Sequence, residues 1–334
     1  MFRISAYSRF LIAITMLVAG LTAAQALPIA GAPQALPVAG AHAPTGVPAG
    51  FVITPFGYFH PSCVNQLAKG DVLHSDSKTI EHANGNSDKI PQCAYPHYRA
   101  DGVAVTDERA GGDPPYFYHS WVEWSTVTTT SAYWANDATW NVPFNPTDND
   151  GQTLFFFDGM QDTHDVVTII QPVLGWNSDY AGAWGIASWN CCVNGAANEA
   201  SPAPVNVGDT ILGETWNNCS AGTKTCDSWN ILTYDVSTGA YSEFLGVTNY
   251  GQTFNWAFGG VMEVYNIYQC GDYPSGPFTF YGGSTGSIDF YEQALFTDKQ
   301  VRITNPKYTI GTTSGLSPTC NEGGLLPGET ILTY

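Results

Sequence analysis

From about Tyr116 to Tyr281 the chain is written in short runs of β-branched and aromatic residues, punctuated by clusters of Gly, Asn, Asp and Pro. That is the signature of strands and turns, and no convincing helical period interrupts it. Strands are expected at 124–130, 138–142, 153–157, 166–176, 184–189, from Ile211 onward, and at 229–234, 261–268 and 278–281. Turns fall at 146–151, 208–209 and 237–239. About 220 residues, taken as 112–334, suffice to bury the core of one large two-sheet sandwich. The expected fold is therefore all-β, a two-sheet antiparallel β-sandwich, with an irregular N-terminal extension ahead of it.

The segments before the sandwich differ in kind. Residues 1–26 carry Arg3 and Arg9, an apolar run at 10–20 and the small-residue sequence Ala24-Gln25-Ala26, a three-part secretory signal with cleavage expected after Ala26. The run is too short to span a bilayer, and no later segment approaches the ~20 apolar residues a membrane helix needs. A secreted, extracellular protein with no membrane partner is expected. Residues 27–50 are rich in Pro, Ala and Gly and contain a near-repeat, Leu27-Pro28-Ile29-Ala30-Gly31-Ala32 and Leu36-Pro37-Val38-Ala39-Gly40-Ala41, which reads as a leader without a fold. Residues 51–111 have mixed polarity and read as an accessory subdomain or a propeptide.

All eight cysteines lie beyond the signal, as an oxidising compartment allows. Nearness in the chain favours Cys63 with Cys93 and Cys219 with Cys226, leaving Cys270 for Cys320. The adjacent Cys191 and Cys192 form either a vicinal bridge or two separate ones. Asn218-Cys219-Ser220 is a weak N-glycosylation pattern. The chain has 29 acidic against 11 basic residues, and losing Arg3 and Arg9 would move its net charge from −18 to −20. So acidic a chain has no footprint for a phosphate backbone, which excludes nucleic acid as a partner, and its self-repulsion falls as the pH falls.

Three short motifs read as ordinary structure. Gly282-Gly283-Ser284-Thr285-Gly286 matches a nucleophile elbow, but strand-like residues flank it on both sides where the motif needs a strand and a helix, so a hairpin turn is expected. Asp148-Asn149-Asp150-Gly151 lacks the spacing and the closing Glu of a calcium loop. The seven histidines show no zinc spacing, and neither metal nor cofactor is expected.

Two strands hold polar groups among apolar neighbours. Alternation sets Gln171 on one face with Val167, Ile169 and Val173, and Glu263 on one face with Val261, Tyr265 and Ile267. Burying either group costs free energy unless it is hydrogen-bonded, and a buried carboxyl titrates high. Such groups mark functional sites, although the plain alternative is that both are satisfied core residues.

In order along the chain, Trp140-Asn141-Val142-Pro143, Phe157-Asp158-Gly159, Ile169-Ile170-Gln171-Pro172-Val173, Trp184-Gly185-Ile186-Ala187-Ser188-Trp189, Val207-Gly208-Asp209-Thr210-Ile211, Ser237-Thr238-Gly239 and Trp256 through Val261-Met262-Glu263-Val264-Tyr265 resemble the glutamic peptidases, the eqolisins, with neprosin-like proteins as more distant relatives. The resemblance covers about half the chain. It implies two packed antiparallel sheets, a concanavalin-like jelly roll, and acid-pH cleavage of peptide bonds by a Gln and a Glu from facing strands. On it, Gln171 stands at the catalytic Gln and Glu263 at the catalytic Glu, while Trp189 and Trp184 line the cleft. Ser188 replaces an acidic residue that the family carries near its site.

The chemistry so implied is a Glu263 that activates water and returns the proton to the leaving amine, with Gln171 donating to the oxyanion. Its partner would be a polypeptide substrate, and a monomer is expected. The rival readings are a lectin-like carbohydrate binder using stacked tryptophans, a glycosidase pairing Glu263 with Glu214 or Glu243, and a secreted protein that keeps only the fold.

Overall fold

The computed structural model describes residues 33–40, 43–74, 78–105, 120–163, 168–192, 195–247, 253–275, 286–326 and 328–334. The signal at 1–26, the strand expected at 278–281 and all of the Gly282–Gly286 motif except its last residue lie outside them. Gly31–Tyr334 form one compact unit. Among the described residues there is no α-helix, and no helix is long and apolar enough to cross a membrane.

In chain order the strands that matter are β1 (Val52–Thr54), β2 (Gly57–Phe59), β3 (Val64–Gln66), β4 (Trp121–Thr128), β5 (Tyr133–Asn141), β6 (Thr153–Gln161), β7 (Ile169–Trp176), β8 (Trp184–Cys191), β9 (Ala197–Glu199), β10 (Thr210–Asn217), β11 (Trp229–Asp235), β12 (Tyr241–Val247), β13 (Trp256–Tyr265), β14 (Ser287–Thr297), β15 (Thr309–Thr312), β16 (Gly323–Leu325) and β17 (Thr330–Thr333). They build a nine-stranded sheet in the order β15-β4-β13-β6-β7-β8-β9-β3, with Ala203–Pro204 paired beside β8, and a seven-stranded sheet in the order β12-β11-β10-β5-β14-β17-β16. Neighbours run antiparallel, apart from the parallel pair β9 and β3.

The two sheets pack face to face, and period-two alternation decides which residues meet between them. From the nine-stranded sheet come Leu154, Phe156, Leu174, Trp176, Trp184 and Ile186; from the other come Ala138, Trp140, Ile211, Ile288, Phe290 and Leu332. Ser188 also points inward, bonded to Thr233 Oγ1 at 2.9 Å and to the Ser242 carbonyl at 2.8 Å.

The C-terminal segment is integral to this core. β14 pairs with β5 and β17 in the middle of the seven-stranded sheet, although the sequence gives no strand there. Its alternation is broken at Glu292, whose φ of 52° lies in the left-handed region.

The remaining face of the nine-stranded sheet is covered by the N-terminal extension. β1 and β2 form a hairpin, continued by His97–Tyr98 and Ala104–Val105. Phe51, Val52, Ile53, Phe56, Tyr58 and Phe59 from it share one buried cluster with Trp121, Phe157, Val173, Trp189, Trp256, Val261 and Tyr265 of the sheet. Part of the stretch read as a leader joins in. Leu36 and Ala39 are buried there, and Ala39 N donates to the Phe51 carbonyl at 2.6 Å while Ile53 N donates to that of Pro37 at 2.8 Å. The disulfides are Cys63–Cys93, Cys191–Cys192, Cys219–Cys226 and Cys270–Cys320, the adjacent pair being bridged to each other.

Candidate active site

Gln171 lies on β7 with its side chain on the face that the hairpin covers. It is fully buried, and neither its amide nitrogen nor its amide oxygen has a hydrogen-bond partner. An amide left so costs about 1–3 kcal/mol, a cost that Asn190 on β8 also bears. Its neighbour Gly159 allows the approach of β6 at a bulge. With φ at 150°, a Cβ there would come 2.3 Å from the Ile170 carbonyl oxygen and 3.4 Å from Gln171 Cα. From the opposite side, Asn136 Nδ2 reaches the carbonyls of Gly159 at 3.2 Å and Phe258 at 3.0 Å, together with Asp158 Oδ2 at 3.0 Å, and so ties down the irregular backbone beneath Gln171.

The strand register sets what lies level with Gln171. On β8 it is Trp189, and beyond that, on β9, Glu199. Directly paired residues share a face, so Gln171, Trp189 and Glu199 form one row, with about 10 Å between the outer backbones. On the other side, Gly159 pairs with Phe258, so an aromatic ring occupies the level of Gln171 on β13.

Glu263 lies on the same face at another level. It pairs with Phe155, which pairs with Gly175, four residues along β7 from Gln171. That offset is about 13 Å along the strand, on top of two strand spacings, too far for the two side chains to share one water. The Glu263 carboxylate is instead held by its own donors: Ser120 Oγ at 2.6 Å, Tyr265 OH at 2.5 Å and Trp121 Nε1 at 3.1 Å. Burial raises its pKa to about 7 against the pull of those three bonds.

Trp189 is in the row, with the ring of Phe56 from the hairpin edge-on to it at 5.8 Å. Trp184 is not. Five residues from Trp189, it takes the opposite face and packs between the sheets against Phe156 and Trp176. Ser188 faces inward for the same reason, so its position does not neighbour this row's side chains.

Glu199 and its partner Asp179 escaped the sequence reading. Both are buried and close enough to couple; burial raises the pKa of each, and the Asp179 charge raises that of Glu199 further. Two carboxyls in contact hold one proton between them, because a second ionisation would press like charges together. The extension seals the pair: Gln66 Nε2 donates to Glu199 Oε2 at 2.7 Å and Gln34 N to the Asp179 carbonyl at 2.7 Å. Only pairing through the short β9 shows that Glu199 belongs here, and no motif announces it.

The rival arrangements fare differently. Glu214 pairs with Leu232 and that with Glu243, on the seven-stranded sheet, so neither carboxyl faces Glu263. Of the ten tryptophans, Trp124, Trp134 and Trp216 are part-exposed and the rest are buried. Cys219, Cys226 and Asp227 cluster within reach of a metal ion, but the two sulfurs are joined as a disulfide and unavailable as thiolates.

No family model and no curated protein matches the chain. Among solved structures, scytalido-glutamic peptidase with a peptide-based transition-state analogue aligns over 64% of this chain and 98% of its own, at 13% identity and a TM-score of 0.44. SCP-B, a member of the eqolisin family of peptidases in complex with the tripeptide Ala-Ile-His, aligns over the same shares at 15% identity and a TM-score of 0.42. These neighbours are glutamic peptidases. The superposition is too loose to bear on the site or the activity, which rest on the geometry above.

Proposed function

We propose that this chain is a secreted, acid-active endopeptidase that uses Gln171 with Glu199, and not with Glu263, to hydrolyse a polypeptide laid across Trp189. The observation that carries this reading is the row itself: an unpartnered buried amide, an indole and a proton-sharing carboxyl pair, side by side on one face. The sequence resemblance to the glutamic peptidases supports the reaction class. The order Gln, Trp, Glu supports the substitution of one carboxyl for the other.

A scissile carbonyl lying over Trp189 would point its oxygen at the two amide hydrogens of Gln171, which are free to stabilise the charge that develops there. The pair, with its one proton on Glu199 and Asp179 ionised, takes the proton from the water as it attacks, and gives one to the leaving nitrogen as the C–N bond breaks. Asp179 holds the second carboxyl position, so that one proton is retained and one acceptor stays open. Burial keeps that one proton on the pair through the acid range.

The test is hydrolysis of a denatured protein between pH 2 and 7, by the intact protein and by protein cut between Val105 and Ser120. Gln171→Ala and Glu199→Gln should each lower kcat by about 10²-fold or more, as loss of an oxyanion donor or a general base does. Glu263→Gln should keep most of the activity. Activity lost with Glu263→Gln and kept with Glu199→Gln would return the role to Glu263; hydrolysis by no form of the protein would leave a binding scaffold.

A further inference from the structure

The face that carries the row is filled by the chain's own residues, and the way they fill it has the form of a ligand. β3 adds to the free edge of β9 as one more strand, with Val64, Asn65 and Gln66 opposite Ala197, Asn198 and Glu199. Asn65 Nδ2 bonds Asn198 Oδ1 at 2.8 Å beside the Gln66 bond to Glu199. Upstream, Phe56 sits on Trp189 at 5.8 Å, and Tyr58 meets Tyr265, the ring that holds Glu263, at 5.4 Å. Strand addition at an edge, with side chains seated in turn, is a standard way to bind an extended peptide.

The covalent structure adds an independent fact. Cys63 and Cys93 are joined to each other, and the other three bridges lie wholly within residues 191–320. No disulfide ties the extension to the sandwich. Residues 33–105 are therefore held to it by non-covalent contacts and by one passage of backbone.

The geometry points to residues 51–66 as a built-in occupant of a polypeptide-binding face, one that keeps the row closed and shows by its own side chains what the face accepts. The ligand class is an extended polypeptide with an aromatic side chain over Trp189 and a carboxamide at Glu199. Lifting the occupant would uncover Trp121, Phe157, Trp189, Trp256 and Phe258 around Gln171 and Glu199, an apolar floor with a few converging polar groups, as ligand sites have. This inference rests on the peptidase reading only for the fate of the bound chain, not for its binding.

The experiment inserts a specific protease site between Val105 and Ser120 in the full chain, cuts the folded protein, and dilutes it. Two quantities are read: release of the N-terminal fragment by size-exclusion chromatography, and hydrolysis of a denatured protein in acid. A synthetic peptide of residues 51–66, carrying Cys63→Ser, is then added. Cutting converts an intramolecular contact into a bimolecular one, so hydrolysis should rise about tenfold or more and the peptide should reverse the rise. The same cut in a Phe56→Ala chain should release the fragment at higher protein concentration.

Equal hydrolysis by cut and uncut protein, unaffected by the peptide, overturns the inference while leaving the peptidase reading intact. Peptide binding to the cut protein, seen as a change in tryptophan fluorescence, with no hydrolysis anywhere, does the opposite.

Discussion

The nine-stranded sheet is covered on both faces, by the seven-stranded sheet on one and by the N-terminal extension on the other. The first cover is assembled from strands drawn from all along the sandwich and closed by Cys270–Cys320 across the last of them. Some of its polar groups are paired, as Ser188 is with Thr233 and Asn136 with Asp158, and others are not, among them Trp140 Nε1, Trp176 Nε1, Trp184 Nε1 and Asp158 Oδ1. The second cover is a hairpin and its flanks, bridged only within itself, over a face where the Gln171 side chain has no hydrogen-bond partner. Buried apolar area is present under both, so burial alone does not separate a core from an occupied site. What separates them is how each cover is tied down: the first by strands and a disulfide of the sandwich itself, the second by non-covalent contacts and one passage of backbone.

The largest effect that can break this comparison is a cavity on each side. Trp140 is fully buried between the sheets and packs on Phe290 at 5.1 Å, so Trp140→Ala should cost about 3–5 kcal/mol of global stability, read by urea unfolding. Phe56→Ala, under the other cover, should leave the unfolding midpoint of the sandwich in place and speed amide exchange in the hairpin. A fall in midpoint as deep as that of Trp140→Ala would make the extension part of the core.

The disulfides sharpen the same contrast. Cys270→Ala with Cys320→Ala removes a bridge that closes 50 residues, and should cost about 2–4 kcal/mol. Cys63→Ala with Cys93→Ala should instead loosen the extension alone, seen as its earlier digestion by an added protease while the sandwich resists.

Acid acts in opposite directions on the sheet, where Glu263 is held by Ser120, Trp121 and Tyr265, and on the extension, where His97 lies. Glu263 titrates near 7 when folded against 4.5 when free, so its contribution is complete below pH 4.5 and is lost as the pH climbs through 7, roughly 3 kcal/mol in all. His97, stacked on Phe59 at 4.6 Å and desolvated to a pKa of about 4, is neutral where it is buried. It binds its proton more readily once released, so the extension loses a similar roughly 3 kcal/mol as the pH falls from 6.5 to 4. Hydrogen exchange at pH 4 and pH 7 should show a looser extension in acid, and His97→Phe should flatten that difference.

The smallest effect belongs to Lys69, which lies over the exposed ring of Tyr241 at 5.7 Å and links the extension to the edge strand β12. Lys69→Ala should weaken rebinding of the cut fragment by no more than about 1 kcal/mol, measured by titration.

Much of this was legible from alternation, and where it was not the physical reason is local. Gln171 and Glu263 could be set on buried faces because period two holds along β7 and β13. Their levels along the sheet could not, because bulges near Gly159 and Gly259 shift the register without disturbing the composition. Trp184 was readable and misassigned: five residues from Trp189, it has the wrong parity to share its face. Glu199 sits in a three-residue strand whose alternation is too short to register, and only its pairing with Trp189 gives it a place. β14 was lost at Glu292, where the left-handed residue interrupts the pattern, and with it went the role of the whole C-terminal segment.

That segment has a consequence during synthesis. β5 is flanked by β10 and β14, and β17 closes on β14 only with residues Thr330–Thr333. At ~5–20 residues per second, β5 emerges many seconds before its second neighbour exists and must wait with one edge unpaired. The nascent chain therefore spends that interval as an incomplete sheet open to strand pairing with other molecules, and translation speed past Asn141 should set how much of it aggregates.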